Sequence, residues 1–330
     1  MSMSKLIVVV LCITVLTIMP LRALADPPEK LLADGRADEA ITNLRTKIAQ
    51  APGDAASQNL LCRAYMMTSN WDSGIAACEK AVSLEPRNSQ YHLWLGRVYG
   101  EKADHSNFIT GANLAPKVRR EFETAVNLDP KNMEAHSDLA EYYLEAPAIM
   151  GGGKDKAENQ AQQMAPADPA GAALLHARLA EKRNDFAEAE KQYKLAIQAS
   201  GGKAGTWLSL AKFYQRRQQL DRVEDAIRHV AAADRNQHVL LAAADFLIRS
   251  NLDFPQAEDF LRRYLSGATV EEAPAFKAHY LLGGLLEKDG NKVAAAQEYR
   301  AALALVSSFA PAQSALNRLE RQSAESVSMH

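Results

Sequence analysis

A chain of 330 residues with a formal net charge of −2 and 24% charged residues carries neither the basic excess of a nucleic-acid binder nor an acidic tail. Hydrophobic residues reach 47%, yet aromatics are only 7% and prolines number 13, a balance that favours closely packed helices over sheets. Length alone allows two domains or one extended array.

The first 25 residues stand apart. Lys5 precedes an apolar run, Leu6 to Met19, that Pro20 breaks, and Ala23-Leu24-Ala25 forms an A-x-A cleavage pattern ahead of Asp26. A spanning helix needs roughly 20 apolar residues, and this run is shorter. Residues 1–25 therefore read as a removable signal peptide, with a retained membrane anchor as the alternative. Cys12 follows Leu11 rather than a small residue, which argues against lipidation. The mature chain is expected to be periplasmic or secreted, with no stable membrane insertion once the signal is cleaved.

Past the signal, Leu31 to Arg36 is a short helix ended by Gly35. Ala40, Ile41, Leu44 and Ile48 recur at helical spacing between Ala37 and Ala49. The next unit, 55–88, places Leu60, Leu61, Cys62 and Tyr65 on one helix and turns at Asn70-Trp71-Asp72. A second helix carries Ile75, Cys78, Ala81, Val82 and Leu84 and stops at Pro86. The phrase Ala81-Val82-Ser83-Leu84-Glu85-Pro86-Arg87-Asn88 then returns as Ala125-Val126-Asn127-Leu128-Asp129-Pro130-Lys131-Asn132. Each copy is a helix end, a proline stop and the turn into the next helix. Such recurrence marks a repeat architecture.

Paired amphipathic helices with a small residue in the first, a Tyr three later, alanines in the second and a closing Pro resemble tetratricopeptide (TPR) repeats. The pattern recurs at Leu95-Gly96 with Tyr99, Leu139-Ala140 with Tyr143, and Ala177 with Phe186, Ala189 and Tyr193. It continues at Trp207 with Leu210-Ala211 and Tyr214, at Phe254 with Ala257 and Leu261, and at Leu282-Gly283 with Tyr299. The resemblance implies an all-α, right-handed TPR α-solenoid of about eight helix pairs over 26–309, irregular at 89–132, 133–169 and 238–275. A capping helix at 310–322 and a flexible tail at 323–330 complete it. Gly96, Ala140, Ala177, Ala211 and Gly283 are the small residues that let paired helices approach; Asp245 breaks the pattern in 238–275.

The irregular units hold insertions. Ala103–Ala112 carries Phe108 and Ile109, residues 146–153 carry Ile149 and Met150 before three glycines, and Gly267–Ala275 lengthens the seventh unit. Insertions in solenoids are expected in loops on one face, often the binding face. The run Gly-Gly-Gly-Lys-Asp-Lys-Ala after Glu-Ala-Pro resembles a set of exported bacterial TPR proteins. The basic insertion is more distantly similar to the TPR domain of regulator-of-microtubule-dynamics proteins. Neither resemblance implies a chemical activity. Asp155 follows Lys154 where a phosphate loop needs Ser or Thr, so the glycines read as a loop opening a helix at Lys154–Met164. Ile149 and Met150 form an apolar tip that either docks on a partner or, the favoured reading, tucks over a neighbouring helix.

By the same resemblance the residue after the small position faces the groove. There stand Arg63, Arg97, Glu141, Arg178, Lys212, Phe246 and Gly284, with Lys182, Arg216 and Lys288 one turn later and Arg249 nearby. One reading is a basic stripe that attracts an acidic peptide, a terminal carboxylate or an anionic glycan. The other is a set of solvated cations late in their helices, since Glu101, Glu141, Glu181 and Glu287 share the surface. Cys62 and Cys78 take facing positions, as a disulfide of an exported protein or as two buried thiols. His92, His136 and His279 occupy positions where repeats prefer a ring.

No H-E-x-x-H or G-x-S-x-G pattern occurs, and no catalytic, metal or cofactor residues are assigned. The expected function is a non-catalytic scaffold of the cell envelope that binds a protein or peptide partner, with no nucleic acid involved. The alternative is an accessory protein of envelope assembly or polysaccharide export that binds a glycan. Core positions for Trp71, Trp94 and Trp207 count against the sugar.

Overall fold

The computed structural model describes residues 26–233 and 238–328; the expected signal peptide lies outside them. Helices fold back in pairs. These are α1 (Pro28–Ala33) with α2 (Ala37–Gln50), α3 (Ala55–Met67) with α4 (Trp71–Leu84), α5 (Ser89–Asp104) with α6 (Phe108–Leu128), and α7 (Met133–Glu145) with α8 (Lys154–Met164). They continue as α9 (Pro169–Lys182) with α10 (Phe186–Ala199), α11 (Ala204–Arg216) with α12 (Leu220–Ala233), α13 (His238–Arg249) with α14 (Phe254–Leu265), and α15 (Ala275–Lys288) with α16 (Lys292–Leu305). A closing helix, α17 (Ala310–Ser328), packs on α16. Among the described residues there are no strands, only one bridge between Val270 and Ala273.

The turn inside six of the eight pairs is one device. Gly35, Ser69, Asn184, Gln218, Asn251 and Gly290 all have positive φ, from 53° to 81°. The following N–H then reaches back to a carbonyl one turn inside the first helix, as Asn70 to Tyr65, Asp185 to Ala180 and Asn291 to Leu286, each at 2.9 Å. This satisfies carbonyls that the helix end leaves open. In four of the six, an Asx side chain then caps the second helix, as Asp185 accepting from the Glu188 N–H and Asn291 from the Ala294 N–H. The two pairs that lack the device are the two with insertions between their helices.

Successive first helices touch one another, α3 with α5, α7 with α9, α9 with α11 and α11 with α13. The side on which neighbours crowd is the concave one, so the first helices line the groove and the second helices form the outer wall. Small residues set the spacing within a pair. A Cβ on Gly96 would meet the Phe122 ring at 2.4 Å, and one on Gly283 would meet the Tyr299 ring at 2.6 Å. Ala177 and Ala211 are fully buried and Ala140 nearly so. In α13 Ala243 and Ala244 are fully buried, Ala244 in the place that Ala211 takes in α11, while Asp245 is half-exposed and bonded to Arg249. The register there runs one residue earlier than the repeat spacing suggested, and the pattern is intact.

The repeated sequence phrase has a repeated structure. His92 bonds Glu121 through Nδ1 at 2.7 Å and donates from Nε2 to the Pro86 carbonyl at 3.0 Å. His136 bonds Gln160 at 2.7 Å and the Pro130 carbonyl at 3.1 Å. Each ring pins its own pair to the proline stop before it, which gives these histidines a packing role.

Three expectations need correction. The excess in 89–132 is mostly helix: α6 starts at Phe108, where Asn107 caps it through the Thr110 N–H, and only residues 105–107 are irregular. Phe108 and Ile109 thus sit on a helical turn, 81% and 73% exposed. Ile149 is 94% exposed on a short 3-10 turn, Ala148–Met150, so only part of the apolar tip tucks in: the turn rests on α6 with Met150 half-buried, while Ile149 points outward. Its backbone is fixed beneath, where the Tyr142 hydroxyl donates to the Met150 carbonyl. The closing helix extends past the expected 322 to Ser328, with no Gly or Pro after Pro311 to end it.

The core divides into two large clusters and a small one of Ala55, Ala81 and Tyr91. One large cluster runs from Leu31 to Leu179, the other from Ala177 to Leu319, and they adjoin in α9. The second cluster also holds Ala37, from the opposite end of the chain. The ends meet. The Ser307 N–H donates to Asp38 at 2.8 Å, Thr269 reaches Asp34 at 3.4 Å, and the Gly35 turn packs on the Ala275 backbone.

Candidate partner-binding groove

The groove wall is a ladder of ion pairs between consecutive first helices. Arg97 on α5 bonds Asp138 at 2.6 Å and Glu134 at 3.0 Å on α7. Arg178 on α9 reaches back to Glu141 and, at 2.6 Å, to Glu145 on α7, and Lys182 bonds Glu145 at 2.7 Å. Arg216 on α11 forks onto Glu181 at 2.7 and 3.0 Å, and Glu181 also accepts from the Tyr193 hydroxyl at 2.6 Å. Arg249 pairs with Asp245 at 2.8 Å on its own helix. Arg63 is bonded to Glu271, far along the chain. Six of the eight expected cations are therefore neutralised, and the free basic stripe is replaced by paired charges.

Among the described residues only Lys212 and Lys288 of that set have no carboxylate in ion-pair reach. Lys288 lies 3.7 Å from the Phe254 ring centre, on an aromatic face. Lys212 opens into a concave cavity of about 660 Å³ between α7, α9 and α11, lined by Glu141, Glu145, Arg178, Glu181, Lys182, Ser209 and Arg216. Burial lowers the Lys212 pKa; Asp245 pulls it up and Arg216 adds to the lowering. Lys212 thus makes no ion pair on a wall of paired charges, although Asp245 attracts it from beyond ion-pair reach.

A second cavity, about 580 Å³, follows along the groove between α11, α13 and α15. Leu208, Val239, Leu241, Tyr280, Leu281 and Phe309 give it an apolar floor, and Asp245, Arg249, Glu272 and Lys277 border it. The sequence reading did not find it. Its one signal was the apolar spacing Val239-Ala242, four residues before the expected groove position Phe246, which is itself buried.

Two of the three tryptophan rings are covered. Trp94 carries the guanidinium groups of Arg63 and Arg97 at 4.8 and 4.7 Å, and Trp207 stacks on His229 at 3.9 Å. All three tryptophans are half-buried at the edge of the core rather than inside it, and Trp71 opens α4 beside His105, with ring centres 5.2 Å apart. A residue at the first position of its helix has little of the pair's interior to face.

Cys62 and Cys78 are joined as a disulfide across α3 and α4, with Cα atoms 5.3 Å apart and both side chains fully buried. The Cys62 site is the small position of its pair, where helices come close enough for a bridge. Among the described residues no helix is long and apolar enough to cross a membrane.

Paired helices, buried small residues and one inner groove define a helical-repeat solenoid. Two family models, both described as tetratricopeptide repeat, match residues 31–99 and 249–311; the chain is a TPR-repeat protein. Yeast Tom70 has a similar fold, with a TM-score of 0.56 and 13% identity over 92% of this chain and 65% of that one. A thermophilic TPR protein of Thermus thermophilus matches at a TM-score of 0.47 and 19% identity, over 56% of this chain and 96% of its own. One from Parabacteroides merdae matches at 0.43 and 14%, over 89% and 98%. No curated protein sequence matches significantly. A TPR fold is a scaffold for protein–protein interaction, and proteins of this family are generally not catalysts.

Proposed function

We propose that this protein is an exported, non-catalytic adaptor of the cell envelope that holds a partner's peptide segment in its groove, with an acidic group of the partner on Lys212. The observation that carries the reading is the Lys212 cavity. The surrounding charges are spent on one another, so they fix orientation, while Lys212 supplies net attraction. The apolar cavity beyond it accepts a neighbouring aliphatic or aromatic side chain. Exposed Phe108, Ile109 and Ile149 offer further contacts outside the groove.

Two features support export: the signal-like first 25 residues and the Cys62–Cys78 disulfide, which an oxidising compartment sustains. The glycan alternative is less favoured, because the Trp94 ring carries two guanidinium groups and Trp207 is stacked on His229, which leaves less aromatic face for a sugar.

The test is a pull-down from an envelope fraction with wild type and Lys212→Glu. The variant is expected to lose at least one partner that wild type retains. An unchanged partner set contradicts the proposal.

A further inference from the structure

The insertion between α14 and α15 is a built β-turn. The Ala273 N–H donates to the Val270 carbonyl at 3.2 Å, closing a turn with Glu271 and Glu272 at its corners. The buried Tyr264 hydroxyl donates to the Ala273 carbonyl and accepts from the Val270 N–H at 3.4 Å, so the turn is fixed from below.

Glu271 leaves this turn and crosses to the other end of the array. There it takes both fork nitrogens of Arg63, the Nε bond being 2.8 Å, and only 10% of its side chain is exposed. Arg63 is prepared for a carboxylate, because its guanidinium lies 4.8 Å from the Trp94 ring centre. A stacked, forked guanidinium is a preorganised carboxylate receptor. Asn59, Arg63 and Met67 are four apart on α3 and share a face. Met67 packs against the core cluster of the C-terminal half, and Asn59 is 5% exposed with its Nδ2 unbonded. The first part of the groove is thus already covered, by the chain itself.

We propose that the α3 face of the groove is a second peptide-binding surface, which the chain fills with its own turn. Its external ligand is a glutamate-bearing partner segment that displaces Glu271 from Arg63. This rests on the groove being a partner surface, but it concerns a different site from the Lys212 cavity. An internal ligand acts at an effective concentration on the order of mM, so it sets a threshold that only a well-matched segment crosses. Displacement also removes one of the contacts between the ends, leaving Ser307–Asp38 and the Gly35 turn in place, which couples occupancy of the groove to closure of the array.

The experiment has two readouts on the full chain. Hydrogen exchange is followed at residues 269–273 in wild type, Glu271→Gln, Arg63→Gln and the swap Arg63→Glu with Glu271→Arg. Both single variants are expected to speed exchange at least tenfold, and the swap to restore most of the protection. Unchanged exchange in both singles overturns the latch. The second readout is binding of a fluorescent peptide copying residues 267–275, with the same peptide carrying Glu271→Gln as control. Binding to the Glu271→Gln protein is expected to be at least tenfold tighter than to wild type, and to vanish with Arg63→Gln or the control peptide. Equal affinity for wild type and Glu271→Gln, or no binding to either, overturns the proposal and leaves the Lys212 reading standing. Should Glu271→Gln fail to fold, excess peptide on wild type must accelerate exchange at 269–273; no acceleration is equally fatal.

Discussion

A methyl group at Gly96 would press on the Phe122 ring at 2.4 to 2.5 Å, whereas one at Gly100, a turn later on α5, would meet nothing within 4 Å. The two substitutions should therefore have opposite signs. Gly96→Ala overpacks the α5–α6 seam at a cost of about 1–3 kcal/mol; Gly100→Ala removes helix-interior flexibility and stabilises by roughly 0.5–1 kcal/mol. Denaturant midpoints of the two variants check this directly. His92 supplies a second residue-scale test. The Glu121 carboxylate raises the pKa of His92 above its usual 6.5, against burial. Burial works to raise Glu121, but its bonds to His92 and Arg120 outweigh it and hold the pKa below 4.5. The His92 contribution is present below pH 6.5 and is lost as pH rises through the raised value; that of Glu121 is present above 4.5 and is lost as pH falls through the lowered value. The pair therefore stabilises most between these values. Glu121→Gln, which copies the His136–Gln160 arrangement, is expected to cost about 2 kcal/mol at pH 5.5 and distinctly less at pH 9, by urea melts at each pH.

At the scale of elements, the α3–α4 pair differs from its neighbours in being covalently closed. Reduction should cost about 3 kcal/mol in the chain-entropy account, given a separation of 16 residues. Protein isolated without reductant should gain two hydrogens in mass on reduction, and its melting should fall; no mass change would mean two free thiols. The elements were largely legible in the sequence, for a physical reason. Helix ends are local chemistry, written in Asn88, Asn132, Gly290 and the prolines, and α8 falls on the expected Lys154–Met164. What misled was the treatment of extra length as loop. Gly111 and Pro116 read as breakers, yet α6 starts at Phe108 and runs through both, capped by Asn107. In α13 a strict spacing pointed to Asp245, while burial chose Ala244.

At the scale of the molecule, the sequence located the groove helices but not the state of their charges. Arg178 and Lys182 were visible as cations. So was their acidic answer, since Glu134, Asp138, Glu141 and Glu145 form one stripe on α7. What decides between a free and a paired stripe is the distance between neighbouring helices, and that follows from packing. The Arg63–Glu271 bond joins residues 208 apart in sequence, and no local pattern announces it. Together these contacts describe a nearly closed array in which, among the described residues, the expected groove cations are paired except at Lys212, at Lys288 on the Phe254 ring and, when the turn is displaced, at Arg63. The most direct test places a photo-crosslinking residue at Ser209, inside the Lys212 cavity, and in a second variant at Lys191 on the outer face of α10. In envelope extracts Ser209 is expected to capture a discrete partner that Lys191 does not, and Lys212→Glu in the same chain to abolish the capture. Partner capture from Lys191 alone, or equal capture from both, would contradict a groove-binding adaptor.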